Sequence, residues 1–125
     1  MAERLLRKNR AERYRNRQEA RRDDGRHESH VAAQTGDIEA LMRITEDESE
    51  ALHATDRNGW MPIHEAARSG QVDVLDYLVK QGTDINAVTG GGQSPLHVAK
   101  SFLGGDHGII DFLKKFGAVE IGPEL

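Results

Sequence analysis

Residues 56–87 read DRNGWMPIHEAARSGQVDVLDYLVKQGTDINA, and the rest of the chain is organised around them. Moved forward by 33 positions, the first half of this stretch returns as TGGGQSPLHVA at residues 89–99. Gly59 falls on Gly92, Pro62 on Pro95, Ile63 on Leu96, His64 on His97 and Ala66 on Ala99. Moved back by 34, Gly59 falls on Gly25 and His64 on His30, so residues 23–44, DDGRHESHVAAQTGDIEALMRI, form a degenerate copy with one residue of slippage. A fixed period in this range marks a chain of stacked units, each too small to bury its apolar face alone.

Each unit reads as two helices. In the full copy Pro62 sits in a first helical turn, where its missing N–H costs nothing. Ala66 and Ala67 keep that helix slender, and Gly70 ends it. Val72, Val74, Leu75, Leu78 and Val79 form the apolar stripe of a second helix, with Gly82 as its left-handed stop. Ile85 anchors the way out, while Asp84 and Asn86 suit a turn in which short polar side chains bond local backbone.

The flanking copies follow the same plan with departures. In the first, Ser29 or Asp24 is predicted to cap a helix whose Val31, Ala32 and Ala33 allow close packing. Thr35-Gly36-Asp37 reads as a stop and restart, and Ile38, Leu41, Met42 and Ile44 as the next apolar face. Glu46, Asp47, Glu48 and Glu50 read as a solvated acidic loop, with docking of a basic partner as the functional alternative. In the last copy Ile109 lies 35 positions after Val74, so two residues are inserted. That lengthens the first helix or its turn and brings Phe102 and Leu103 to the concave side or to the turn. Ile109, Ile110, Phe112, Leu113 and Phe116 are expected to build the final helix, ended by Gly117, with Lys114 and Lys115 placed favourably at its C-terminus. The closing VEIGPEL carries no further helix, which leaves part of the last apolar side uncovered.

The 33-residue period and the cores MPIHEAA and SPLHVA resemble the T-P-L-H-x-A pattern of ankyrin repeats. The resemblance covers roughly residues 23–121. It implies an all-α solenoid of about three helix–turn–helix repeats with short hairpin fingers. Residues 23–55 would be a degenerate first repeat, 56–88 the full repeat and 89–121 the repeat with the insertion, after a basic arm at 1–22. In that family the Thr hydroxyl bonds the His imidazole. Ser94 keeps a hydroxyl for His97, whereas Met61 offers none, so His64 is expected to find backbone or water. Gly59, Pro62, His64, Gly70, Gly82, Gly92, Pro95 and His97 thus receive structural roles. The finger around Asn86 to Gly92 contains Gly90-Gly91-Gly92 and is expected to be pliable.

The resemblance also implies a function, namely non-catalytic binding of another protein through finger tips and first helices. The positions concerned are Arg57, Asn58, Trp60, Arg68 and Ser69 in the full repeat, Gln34 and Thr35 before it, and Gly90, Gly91, Gln93, Ser101 and Phe102 after it. Trp60 between Arg57 and Arg68 has the composition of an interface anchor. The plainer alternative is that Trp60 merely covers the neighbouring finger.

Composition narrows the remaining classes. The chain has 125 residues, 37% of them hydrophobic, and no cysteine. A thin core along a solenoid needs less apolar content than a single large one. The absence of cysteine excludes disulfides and thiolate metal sites and fits a reducing compartment, so a cytoplasmic or nuclear location is expected. His27 and His30 stand at i,i+3, but no third ligand lies near in sequence, and no metal or cofactor is expected. The Gly-rich finger lacks the Lys-Ser/Thr of a phosphate-binding loop. No constellation for acid–base, nucleophilic or metal chemistry appears, so no enzyme activity is expected.

The net charge of −4 divides unevenly. Residues 1–28 carry ten Lys/Arg against six Asp/Glu, and residues 29–125 carry seven against fifteen. The acidic body favours a partner of basic character. The Arg-rich arm reads as a solvated charged helix, or alternatively as the working part of a nuclear or nucleic-acid adaptor. Only Tyr14 there could stack on a base. A third reading is a regulatory ankyrin segment of a larger enzyme. A monomer without a membrane span is expected, since no apolar run approaches the ~20 residues required.

Overall fold

The computed structural model describes residues 27–122; the arm at 1–22, Asp24, Gly25 and the last three residues lie outside the described residues. Six α-helices make up the described structure: α1 (Glu28–Thr35), α2 (Ile38–Asp47), α3 (Pro62–Ser69), α4 (Val72–Lys80), α5 (Pro95–Leu103) and α6 (Gly108–Lys115). A 3-10 helix at Ser49–His53 follows α2. Among the described residues there is no strand, and the fingers are turns rather than paired ladders.

Each repeat folds as an antiparallel helix pair, and the pairs stack. The first helices α1, α3 and α5 pack in one row, and α2 packs on α4 in a second. Small side chains make the first row possible: Ala33, Ala66, Ala67 and Ala99 are fully buried where helix backbones approach. The second row supplies bulk through Leu41, Val74, Leu75, Leu78, Ile109 and Leu113. Each helix of the first row ends on a glycine. Gly36 and Gly70 take the left-handed conformation, with φ of 79° and 71°, where a side chain would strain the chain.

Several expectations need correction. Helix α1 is entered at His27, not capped by Ser29, which is the second helical residue and is buried. The Ser29 hydroxyl instead donates to Ala51 O at 2.7 Å, tying α1 to the 3-10 helix. That helix buries Ala51 and Leu52, so the acidic segment is folded, with Glu46 and Asp47 closing α2 and Glu50 in the 3-10 helix. Glu46, Glu48 and Glu50 remain exposed to solvent as expected. Met42 is 53% exposed and leaves the apolar face to its neighbours. Phe116 caps α6, also largely exposed, with its ring 4.7 Å from that of Phe112. Asp37 does restart the chain, accepting the Ala40 amide at 3.0 Å.

Both histidines in T-P-L-H positions before α5 bond backbone at each ring nitrogen. His64 Nδ1 accepts the Met61 amide at 3.0 Å, and Nε2 meets Ala87 O at 2.7 Å. His30 repeats the arrangement, with Nδ1 accepting the His27 amide at 3.2 Å and Nε2 meeting Trp60 O at 2.6 Å. A carbonyl only accepts, so Nε2 carries the proton in both rings. Each imidazole thereby clamps its helix start to the next finger, and His64 does without a hydroxyl as expected.

The third repeat differs. Ser94 Oγ does not serve the His97 imidazole; it donates to Val119 O at 2.7 Å and accepts the amides of Ile121 at 2.9 Å and His97 at 3.4 Å. The His97 ring packs against Gly122, where an added Cβ would lie 2.5 Å from it. The segment 117–122 is thereby held along the start of α5, with Glu120 bonded to Lys100 at 2.9 Å.

Candidate protein-binding face

Just before α3 the chain turns through Asp56-Arg57-Asn58-Gly59 to reach Trp60. Asp56 Oδ1 accepts the amides of Asn58 and Trp60, both at 2.9 Å, and Gly59 N donates to Asp56 O at 3.1 Å. This Asx arrangement fixes the finger tip and delivers Trp60 to the base of the finger, beside the first-helix row. The following finger turns through Thr89-Gly90-Gly91-Gly92, with Thr89 Oγ1 accepting the Gln93 amide at 3.2 Å.

The two tips touch. Gly90 N donates to Asn58 O at 2.8 Å. A Cβ on Gly90 would lie 2.6 Å from that carbonyl, and one on Gly59 would overlap the Gly90 backbone. Gly92 has a φ of +78°, so it too is constrained. The triple-glycine finger is therefore not simply pliable: two of its three glycines are demanded by contact or conformation, and only Gly91 has neither requirement. Asp56, Arg57, Asn58, Gly59, Trp60, Thr89, Gly90, Gly91 and Gln93 line a shallow open cleft between the tips.

From α5, Phe102, 33 positions after Ser69 at the end of α3, comes to lie beside Trp60. Its ring centroid is 6.2 Å from that of Trp60, edge to face. The Arg68 guanidinium on α3 lies over the same ring, 4.8 Å from its centroid. Trp60 also meets the His64 ring edge-on at 5.8 Å and is half-buried against the core. Phe102 is 53% exposed. Side chains from a finger base, α3 and α5 thus form one aromatic–cationic patch. Such contacts contribute about 0.5–1.5 kcal/mol for aromatic pairs and ~0.5–1 for an exposed cation over a ring.

Trp60, Arg68 and Phe102 were all legible as candidates and converge here. Arg57, Asn58, Gly90, Gly91 and Gln93 lie along the cleft. Ser69 and Ser101 sit on α3 and α5 beside the patch, Ser101 exposed and Ser69 half-buried. Gln34 and Thr35 end α1, and the backbone Gln34 O accepts from the Gln71 side chain at 3.1 Å, which ties the end of α1 to the α3–α4 turn. Leu103, beside Phe102, turns the other way and packs on the core. His107 was not singled out by sequence: Nδ1 accepts the Ile109 amide at 3.2 Å to cap α6, and its ring lies against the Gly70 turn.

Two histidines beside the patch have pKa values below their ordinary range. Burial lowers His64, offset in part by the Ala87 carbonyl and by Asp56. Burial also lowers His27, against the opposing pull of Asp56. Both rings are held neutral at neutral pH, in keeping with the acceptor role of His64 Nδ1.

Comparison with known proteins agrees with this architecture. A family model described as ankyrin repeats (3 copies) matches residues 2–89 and 29–121. The chain is 37% identical over 71 residues to transient receptor potential cation channel subfamily A member 1 of Homo sapiens, 56% of this chain and 6% of that protein. It is 36% identical over 70 residues to an ankyrin repeat-containing protein of Schizosaccharomyces pombe, 56% of this chain and 33% of that one. It is 31% identical over 68 residues to the 2-5A-dependent ribonuclease of Mus musculus, 54% of this chain and 9% of that enzyme. The chain thus spans at most a third of these relatives. No helix among the described residues is long and apolar enough to cross a membrane. With three stacked helix pairs, their glycine stops and imidazole clamps, and a family model covering nearly its whole length, the chain is a member of the ankyrin repeat family.

Proposed function

We propose that this chain is a non-catalytic protein-binding module whose contact surface is the face around Trp60, Phe102 and Arg68. The observation that carries the reading is the convergence of these three side chains from separate elements onto an exposed patch. Trp and Arg are the commonest residues at interface hot spots, and a rigid aromatic pair loses little freedom on binding. Ankyrin repeats are protein-interaction modules, which places the reading within the family's general role. Affinity capture with the intact chain and with Trp60→Ala tests it. Partners retained by the intact chain and lost by the variant, with both proteins equally folded by circular dichroism, support it; identical partners for both contradict it.

The small share of each relative that the chain covers supports a second reading, a regulatory ankyrin segment working within a larger protein. A reading frame continuing into a catalytic or channel domain would establish it. An Arg-rich arm acting as a nucleic-acid or nuclear adaptor is a third, tested by RNA binding that falls steeply with salt and disappears on deleting residues 1–22.

A further inference from the structure

We infer that the Trp60–Phe102–Arg68 patch takes an acidic peptide segment, seating an aliphatic or aromatic side chain against the two rings and a neighbouring carboxylate on Arg68. The inference rests on the reading of this face as the protein-binding surface and specifies its ligand. It reverses, at this face, the preference for basic partners that the overall charge suggests.

The charges are distributed by row. Residues 29–125 carry seven Lys/Arg and fifteen Asp/Glu, yet no exposed acid lies on α3 or α5. Glu39 is on α2, Asp73 and Asp76 are on α4, Asp111 is on α6, Glu48 and Glu50 lie in the connection after α2, Asp84 follows α4, and Asp106 lies in the turn between α5 and α6. On α3 the carboxylate of Glu65 is buried, and the exposed charge is Arg68. On α5 the charge is Lys100, already bonded to Glu120. Asp56 has turned an oxygen to its own finger's amides. Among the described residues Arg68 meets no carboxylate within 4.0 Å, and its partner is the Phe102 ring.

Stacking on an aromatic face orients a guanidinium while leaving its edge donors open, and that planar edge matches a carboxylate in bidentate fashion. A cation held over a half-exposed ring pair therefore selects a ligand that is apolar at one position and anionic beside it. Charge complementarity also limits the ligand. One guanidinium suits a short acidic segment, whereas a polynucleotide would bring successive phosphates toward a body in which acids outnumber bases two to one.

Selection from a displayed library of random short peptides, with the intact chain as bait, tests this. The expected result is enrichment of sequences pairing Asp or Glu with Leu, Ile, Phe or Trp. Their affinity should fall about tenfold in Phe102→Ala and in Arg68→Ala. Selection on Arg68→Glu should shift toward Lys and Arg, a change that loss of folding cannot produce. Neutral or basic peptides that still depend on Trp60 and Phe102 would overturn the acidic ligand and leave the binding face standing. Peptides indifferent to both aromatic substitutions, or no enrichment at all, would overturn both. Tighter binding of a uridine oligoribonucleotide than of any selected peptide, lost in Arg68→Ala, would overturn the peptide in favour of nucleic acid.

Discussion

At the scale of single residues, the fingers and the histidines carry the sharpest consequences. Gly59 and Gly90 lie where two finger backbones touch, and a methyl at either position meets backbone that has no rotamer to move. Gly59→Ala and Gly90→Ala should each destabilise by about 1–3 kcal/mol in urea unfolding, while Gly91→Ala, with nothing nearer than Thr89 Oγ1 at 3.8 Å, should be close to neutral. Equal effects at all three would contradict the contact. His64 gives a pH dependence whose sign is fixed. Its folded pKa lies below the ordinary value of 6.5, so the unfolded chain binds the proton more readily. Its contribution is present above 6.5 and is lost as the pH falls below that value. His27 acts in the same direction. The urea midpoint should therefore drop between pH 7.5 and 5, and drop less in His64→Gln, which cannot take up the proton.

At the scale of elements, the third repeat shows what the sequence could and could not convey. The 33-residue shift, the proline positions and the alanine pairs made the helix pairs, their stops and the apolar stripes legible, because helix periodicity is a local property. What a hydroxyl reaches across 25 residues is not local. Ser94 aligns with the family's Thr, yet its oxygen is taken by Val119 O and by the Ile121 amide, because the chain after α6 returns along α5. Likewise Ser29 looked like a cap and proved to be a buried tie to Ala51. Ser94→Ala should cost about 1–3 kcal/mol by stranding buried partners. Hydrogen exchange should localise the damage, with the Ile121 amide losing protection while α1 and α2 keep theirs. Uniform loss of protection would mean that Ser94 supports the whole stack and not the returning segment.

At the scale of the molecule, stability is the sum of thin interfaces between neighbours, and none of the repeats buries its own helices. Damage to the first repeat should therefore be felt in the second. Leu41 is fully buried in α2, and Leu41→Ala should remove about 2–5 kcal/mol. The single tryptophan of the chain, in the central repeat, should report the same shift in midpoint as far-UV circular dichroism. A dichroism change with an unmoved tryptophan transition would show the first repeat unfolding by itself. The binding face belongs to this scale as well. Sequence alignment named Trp60, Arg68 and Phe102 separately, but their meeting depends on how α3 and α5 pack beside the finger, which only the stacked repeats decide.

Because Trp60 is both the sole tryptophan and the centre of that face, its emission during titration with a captured partner or selected peptide addresses the central claim most directly. A saturable change in Trp60 fluorescence, with affinity about tenfold weaker in Phe102→Ala, is the predicted result. Binding detected by another signal, with Trp60 emission unchanged and the Phe102→Ala variant unaffected, would contradict it.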